Sequence, residues 1–282
     1  MSTHLSRIPV RHMNFGFARN AFGKDHVGGN PLITSIFCNL SAAIPEGERF
    51  FVRSVRHFRD QIDDPLLRQH ISGFIGQEAF HAREHDQLNA TLAQAGFPME
   101  QHEALFLYAI KLLQQLPPKA QLAATAALEH YTAIIAEGLL RDERLRAMLP
   151  PVLRDFWLWH AIEESEHKAV AFDVYQQVSG SYLLRMGMML GVSAVYWPLV
   201  LTLVFKQVID GGDLKRVGKL AEGLNLAFGI NGFFTQMTFK YFDYLKPSFH
   251  PNDHDCEQLL AEWKATLFDN EGRLQTYLKP AA

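Results

Sequence analysis

Two short runs hold the residues best equipped for chemistry, Gln77-Glu78-Ala79-Phe80-His81 and Glu163-Glu164-Ser165-Glu166-His167. In Glu78/His81 and again in Glu164/His167 a glutamate precedes a histidine by three residues. On a helix that spacing sends both side chains from one face. A carboxylate oxygen beside an imidazole nitrogen is a ligand pair for a divalent cation, and carboxylate-rich ligation without a thiolate suits iron or manganese better than zinc. Two such pairs on two helices, with one glutamate from each of two more, form the dinuclear site of ferritin-like four-helix bundles. Glu48 and Glu129 stand where the two single carboxylates are required.

Burial explains why metals belong to the pattern. Two ions about 3.5–4 Å apart need bridging and terminal carboxylates with an imidazole each. Without the ions, six such groups in a bundle core would lose hydration with nothing to replace it. Phe74, Ile75, Phe80, Trp157, Trp159 and Ile162 surround the motifs with apolar bulk, which marks these faces as core. His160 lies four residues before Glu164, and His85 four after His81. Each could add a nitrogen ligand, or instead donate a hydrogen bond to a ligating carboxylate; helical phase favours His160 for ligation. Glu163 falls near the same side as a supporting or shifting carboxylate. His130 points about 100° away from Glu129 and reads as a packing histidine.

The elements that must position these groups are helical. Pro45, with Glu46 and Glu48 behind it, predicts a helix over about 46–62. Pro65 opens a second helix that ends near Gly96, a shorter one spans 101–116, and a fourth covers 119–141. Pro150-Pro151 opens a fifth that extends to about 178. No strand-like alternation interrupts them, so 46–180 is expected to be an all-α, ferritin-like metal-binding bundle. Residues 1–45, with Gly28-Gly29-Asn30-Pro31, are expected to be an irregular approach segment. Residues 186–205 carry no formal charge, and that length can cross a bilayer. A weaker apolar stretch, 224–239, is broken by Gly229, Asn231 and Gly232. Residues 181–245 thus predict an apolar helical hairpin, with 186–239 available for membrane contact or for a homodimer face. Residues 246–282 predict a loop and one amphipathic helix with Leu259, Leu260, Trp263 and Leu267; within the loop, His250 to Asp255 reads as a cap and turn.

The 282 residues are 48% hydrophobic, with 27 Lys+Arg against 30 Asp+Glu. That balance argues against a disordered chain and against nucleic acid as a partner. Cys38 and Cys256 are far apart and the N-terminus carries no apolar leader, so a cytoplasmic location is expected, at or in the inner membrane if the hairpin meets lipid. No GxGxxG, GxxxxGK[ST] or GxSxG run occurs, which leaves nucleotide cofactors and a serine nucleophile without support.

The runs Pro45-Glu46-Gly47-Glu48-Arg49-Phe50-Phe51, Gln77 to His81, Glu129-His130, Trp159 to Lys168, Phe172-Asp173-Val174-Tyr175 and Phe249-His250-Pro251 resemble the bacterial family of predicted metal-dependent hydrolases over nearly the whole chain. The order of ligands is also similar to that of the di-iron arylamine N-oxygenases, in which a histidine four residues before the last ExxH is a seventh ligand. That resemblance implies His160 as the seventh, beside Glu48, Glu78, His81, Glu129, Glu164 and His167. Three functions follow for comparison. The first expectation is an O2-activating di-iron oxidoreductase or oxygenase that takes a small hydrophobic substrate and electrons from a donor protein. The alternatives are a two-metal hydrolase, as the family description implies, and an iron-oxidising or metal-binding protein.

Overall fold

Asn30 begins the first layer of the bundle. Its side-chain oxygen accepts hydrogen bonds from the Leu32 and Ile33 amides at 3.1 and 3.2 Å, and Pro31 follows in the first turn. There its missing N–H costs nothing, since that donor would have no helical partner. The computed structural model describes residues 7–18, 22–269 and 271–279. Among them, α1 spans Pro31–Phe58, α2 Pro65–Gln94, α3 Met99–Leu113, α4 Pro118–Arg141, α5 Glu143–Met148 and α6 Pro151–His167. After these come α7 at Val170–Val178, α8 at Tyr182–Asp210, α9 at Val217–Phe228, α10 at Phe233–Asp243 and α11 at Glu257–Phe268. The described residues are all-α, with one isolated bridge between Met13 and Leu278.

Helix α1 lies along α2 and α4 along α6, and the two pairs close on each other with α7 continuing the fourth layer. Helix α3 covers α1, α8 packs on α1 and α4, α10 on α4, and α11 on α6. The extended N-terminal stretch crosses α2, where the chain comes close enough to need glycine. A Cβ on Gly73 would stand 2.6 Å from Ile8, and one on Gly76 2.4 Å from Val10.

Two boundaries differ from the sequence expectation. The first helix starts at Pro31, so residues 31–45 belong to the bundle and Pro45 lies inside α1. Pro45 has no N–H to return to the Ser41 carbonyl; Asn89 on α2 donates to that carbonyl at 3.1 Å instead. The tertiary partner replaces what the proline removes. The helix expected to run unbroken to 178 is divided at Lys168-Ala169 into α6 and α7. Neither glycine nor proline marks this break, and Lys168 there reaches across to the His254 carbonyl.

Helix α8 is long and apolar enough to cross a membrane, yet only 28% of its most apolar window is buried. Arg185 near its start is buried, donating to the Tyr244 and Lys246 carbonyls at 2.6 and 2.7 Å. The second apolar stretch is two helices, α9 and α10, parted by the Gly229–Gly232 turn.

Candidate metal centre

The bundle interior gathers residues from α1, α2, α4 and α6 into one polar island. Glu48, Glu78, His81, Glu129, Glu164 and His167 are each no more than 2% exposed, and His160 is 5% exposed. Glu48, His81, His160 and Glu164 each offer an atom to one group in which all lie within 4.8 Å of one another; Glu78, Glu164 and His167 form a second. Glu164 is common to both, so its carboxylate would serve either group of ligands. Glu129 stands beside the second group, its Oε2 3.6 Å from His167 Nε2.

Each histidine presents one nitrogen inward and has the other held from outside. His81 Nδ1 faces Glu164 at 3.4 Å and Glu48 at 3.5 Å, while Nε2 lies 3.0 Å from Glu163. His167 Nε2 faces Glu78 at 3.0 Å, and its Nδ1 is 2.8 Å from the Gln77 side-chain oxygen. His160 Nε2 faces Glu164 at 3.3 Å, with Nδ1 3.2 Å from His85 Nε2. A ligand histidine needs this arrangement, because the outer partner fixes both ring and tautomer.

The inner atoms are short of partners. Both oxygens of Glu48, Glu78 and Glu129, together with Glu164 Oε2, His81 Nδ1 and His167 Nε2, are buried without a hydrogen bond. Buried polar atoms are almost always satisfied, so this concentration of unsatisfied carboxylate oxygen and imidazole nitrogen fits divalent cations as the missing partners. The electrostatics agree. Burial, with Glu78 beside it, pushes the Glu48 carboxyl well above the ordinary range, and burial with Glu78 and Glu164 does the same to Glu129. Burial opposes charge on His81 and His167 too, but the encircling carboxylates carry both imidazoles well above their usual values. Glu164 is held well below its usual range: burial works against ionisation, but His167, His160 and His81 outweigh it.

Around the cluster is a shell that the sequence shows only in part. Glu163 is bound by Arg11 at 2.9 Å, and Arg11 forms two further bonds of 2.8 Å to Glu166. Gln77 links His167 to Glu166 and to the Pro9 carbonyl. His85 makes no contact with the carboxylates. It stands between His160 and the Ser41 hydroxyl, 2.8 Å away, and burial together with His160 and His81 lowers its pKa far below the usual value. It is a neutral support for His160, and Ser41 passes the chain on to Asn89, which donates to Glu103 at 2.8 Å. His130 is outside the island, bonded to the Lys240 carbonyl at 3.0 Å. His250 caps the 251–253 turn and pairs with Asp173 at 2.8 Å. Sequence reasoning missed Arg11, Ser41 and Asn89. Arg11 sits in an extended segment with no periodicity to point inward, while Asn89 is one helical turn beyond His85 on the same face of α2.

An apolar cavity of about 310 Å³ reaches this island. Glu48 and His160 stand in its wall among Leu40, Phe51, Ile110, Leu128, Ile135 and Val192.

A four-helix bundle with a buried Glu/His cluster able to hold divalent cations defines a helical metalloprotein. Its family can be stated: residues 9–255 match the model of the family described as predicted metal-dependent hydrolases, and the chain belongs to it. No curated protein and no solved structure matched.

Proposed function

We propose that this chain is a two-metal enzyme acting on a substrate with a long apolar group, and that the reaction is metal-dependent hydrolysis. The observation that carries the reading is the apolar cavity ending on Glu48 and His160, beside carboxylate oxygens that have no other partner. A cavity near the lower end of the usual range for small-molecule sites, roughly 300–1,000 Å³, suits one extended chain. The family description supports hydrolysis.

Glu48, Glu78, His81, Glu129, His160, Glu164 and His167 would hold the ions. Two divalent cations there would supply Lewis acidity to a carbonyl or phosphoryl group and make water a stronger acid. The protein does the rest. The cavity wall takes the apolar part of the substrate and excludes bulk water, which strengthens every charge interaction at the site. Glu163, held by Arg11, and Gln77, held by Glu166, keep the His81 and His167 rings from rotating.

A second reading, an O2-activating oxidoreductase fed by an electron-donor protein, is favoured by one observation: the cluster is all carboxylate and imidazole, a donor set that suits iron. One experiment separates the two. Protein loaded anaerobically with manganese, zinc or iron(II) is assayed for acid release from para-nitrophenyl esters of increasing chain length, then for O2 uptake. Hydrolysis that needs metal and rises with chain length supports the proposal. O2 uptake by the iron form, with no ester cleavage under any metal, replaces it with the second reading.

A further inference from the structure

Helix α8 turns a long apolar stripe outward. It is 29 residues long, about 43 Å at 1.5 Å per residue, and no charged residue occurs from 186 to 205. Leu183 is 80% exposed, and Leu190, Val195 and Phe205 are about half exposed. Helix α3 meets α8 where Phe106 packs on Tyr196, and Tyr108 on α3 is also outward. Soluble monomers rarely leave so large a continuous apolar face uncovered.

The cavity says what covers it. The wall residues most open to solvent are Leu112 of α3 and Gly191 and Val195 of α8, so the mouth opens within the apolar face itself. Nothing bulky guards it at Gly191, where even an added Cβ would meet no atom within 4 Å. A second copy seated on this face would close the mouth. A lipid surface would cover the same apolar area and deliver apolar molecules into it. At the C-terminal end of the α8 stripe the charge is balanced, because Lys206 is paired with Asp210.

We infer that the α3/α8 face seats on the surface of a lipid bilayer and that the substrate is an acyl lipid which enters the cavity between Leu112 and Val195. The inference rests on the cavity being the substrate site, and it adds the substrate class and its source. An interfacial seat of this kind is driven by buried apolar area and is therefore insensitive to salt.

The test is flotation of the full-length protein with phosphatidylcholine vesicles at low and high salt, alongside Leu183→Glu/Leu190→Glu, two outward positions of α8 that do not line the cavity. Both positions are exposed, so helical circular dichroism and metal content report whether the variant is folded. The wild type is expected to float at both salt concentrations and the variant to lose flotation, while retaining metal and turnover of a short, soluble ester. Wild type that stays with the dense fraction overturns the inference. So does a particle of twice 32.0 kDa that the variant reduces to monomer without any flotation, since the face would then belong to a second copy. Neither outcome touches the metal-dependent turnover on which the proposed function stands.

Discussion

Replacing Glu48 by glutamine should separate a ligand from a structural carboxyl by moving two stabilities differently. In the metal-free protein Glu48 is buried beside Glu78, its carboxyl pushed well above the ordinary range, and neither oxygen has a hydrogen bond. Burial and the neighbouring Glu78 favour the neutral carboxyl over the carboxylate, so the near-isosteric neutral carboxamide costs little. The metal-free change should stay under ~1 kcal/mol, about 2 °C for a chain of this size. The loaded protein behaves otherwise. At a free-ion concentration about 100 times Kd, each bound ion adds about 2.7 kcal/mol. An unfolding entropy of about 2.1 cal/mol/K per residue over 282 residues gives roughly 0.6 kcal/mol/K, hence a rise of 4–5 °C per ion and about 9 °C for two. If Glu48→Gln weakens one site about 100-fold, that ion adds only about 0.4 kcal/mol at the same concentration, and roughly half the rise disappears. Differential scanning calorimetry with and without manganese reads both numbers. A variant that lost several degrees without metal yet kept the full rise would refute the reasoning, because Glu48 would then be a structural group.

The remaining expectations are more local. Gln77→Leu removes the acceptor that fixes His167 Nδ1, and manganese affinity should fall about 10- to 100-fold in a competition titration, with the helical spectrum unchanged. Gly47 lines the cavity one residue before Glu48, and a Cβ there meets only Phe51 at 3.8 Å. Gly47→Ala should raise stability by up to about 1 kcal/mol in urea titration, whereas Gly47→Leu should abolish turnover of long esters and spare short ones. His102 is buried, and burial with Lys206 nearby lowers its pKa to about 4. A histidine lowered in this way binds its proton more readily unfolded, so its share of stability is present above the unfolded value near 6.5 and is lost as pH falls toward 4. From pH 7 to pH 5 the loss from this residue is about 1–2 kcal/mol, and His102→Leu should flatten the urea-derived pH profile by that amount. An unchanged slope would show that His102 does not carry it.

How much of this was legible before the structure follows from which interactions are local. Glu78/His81 and Glu164/His167 could be placed because three-residue spacing on a helix fixes relative direction whatever the neighbours do. The start of α2 was legible for a similar reason, since Pro65 marks a first turn, and the structure adds Asp64 as the acceptor for the Leu66 amide. Pro45 misled because a proline reads alike at a first turn and in an interior, and only Asn89, forty-four residues on, reveals the difference. Lys168-Ala169 carries no breaker, so the division of α6 from α7 follows from packing alone. Arg11 illustrates the same limit at the site: its role depends on an extended segment crossing two helices, which no periodicity encodes. The cavity was invisible too, since its wall is assembled from α1, α3, α4, α6 and α8.

The proline in α1 also makes distant positions mutually dependent. The Ser41 carbonyl is free for Asn89 only because residue 45 has no N–H, and the Ser41 hydroxyl on that same turn holds His85, which holds His160. Pro45→Ala would return a competing donor to that carbonyl, so its effect should depend on whether Asn89 is present. A double-mutant cycle over positions 45 and 89 should therefore be non-additive, by an interaction energy of about 0.5–3 kcal/mol. Substitution at any one of 41, 45, 85 or 89 would then change what the other three can tolerate, making an exchange in this quartet easiest when several members change at once.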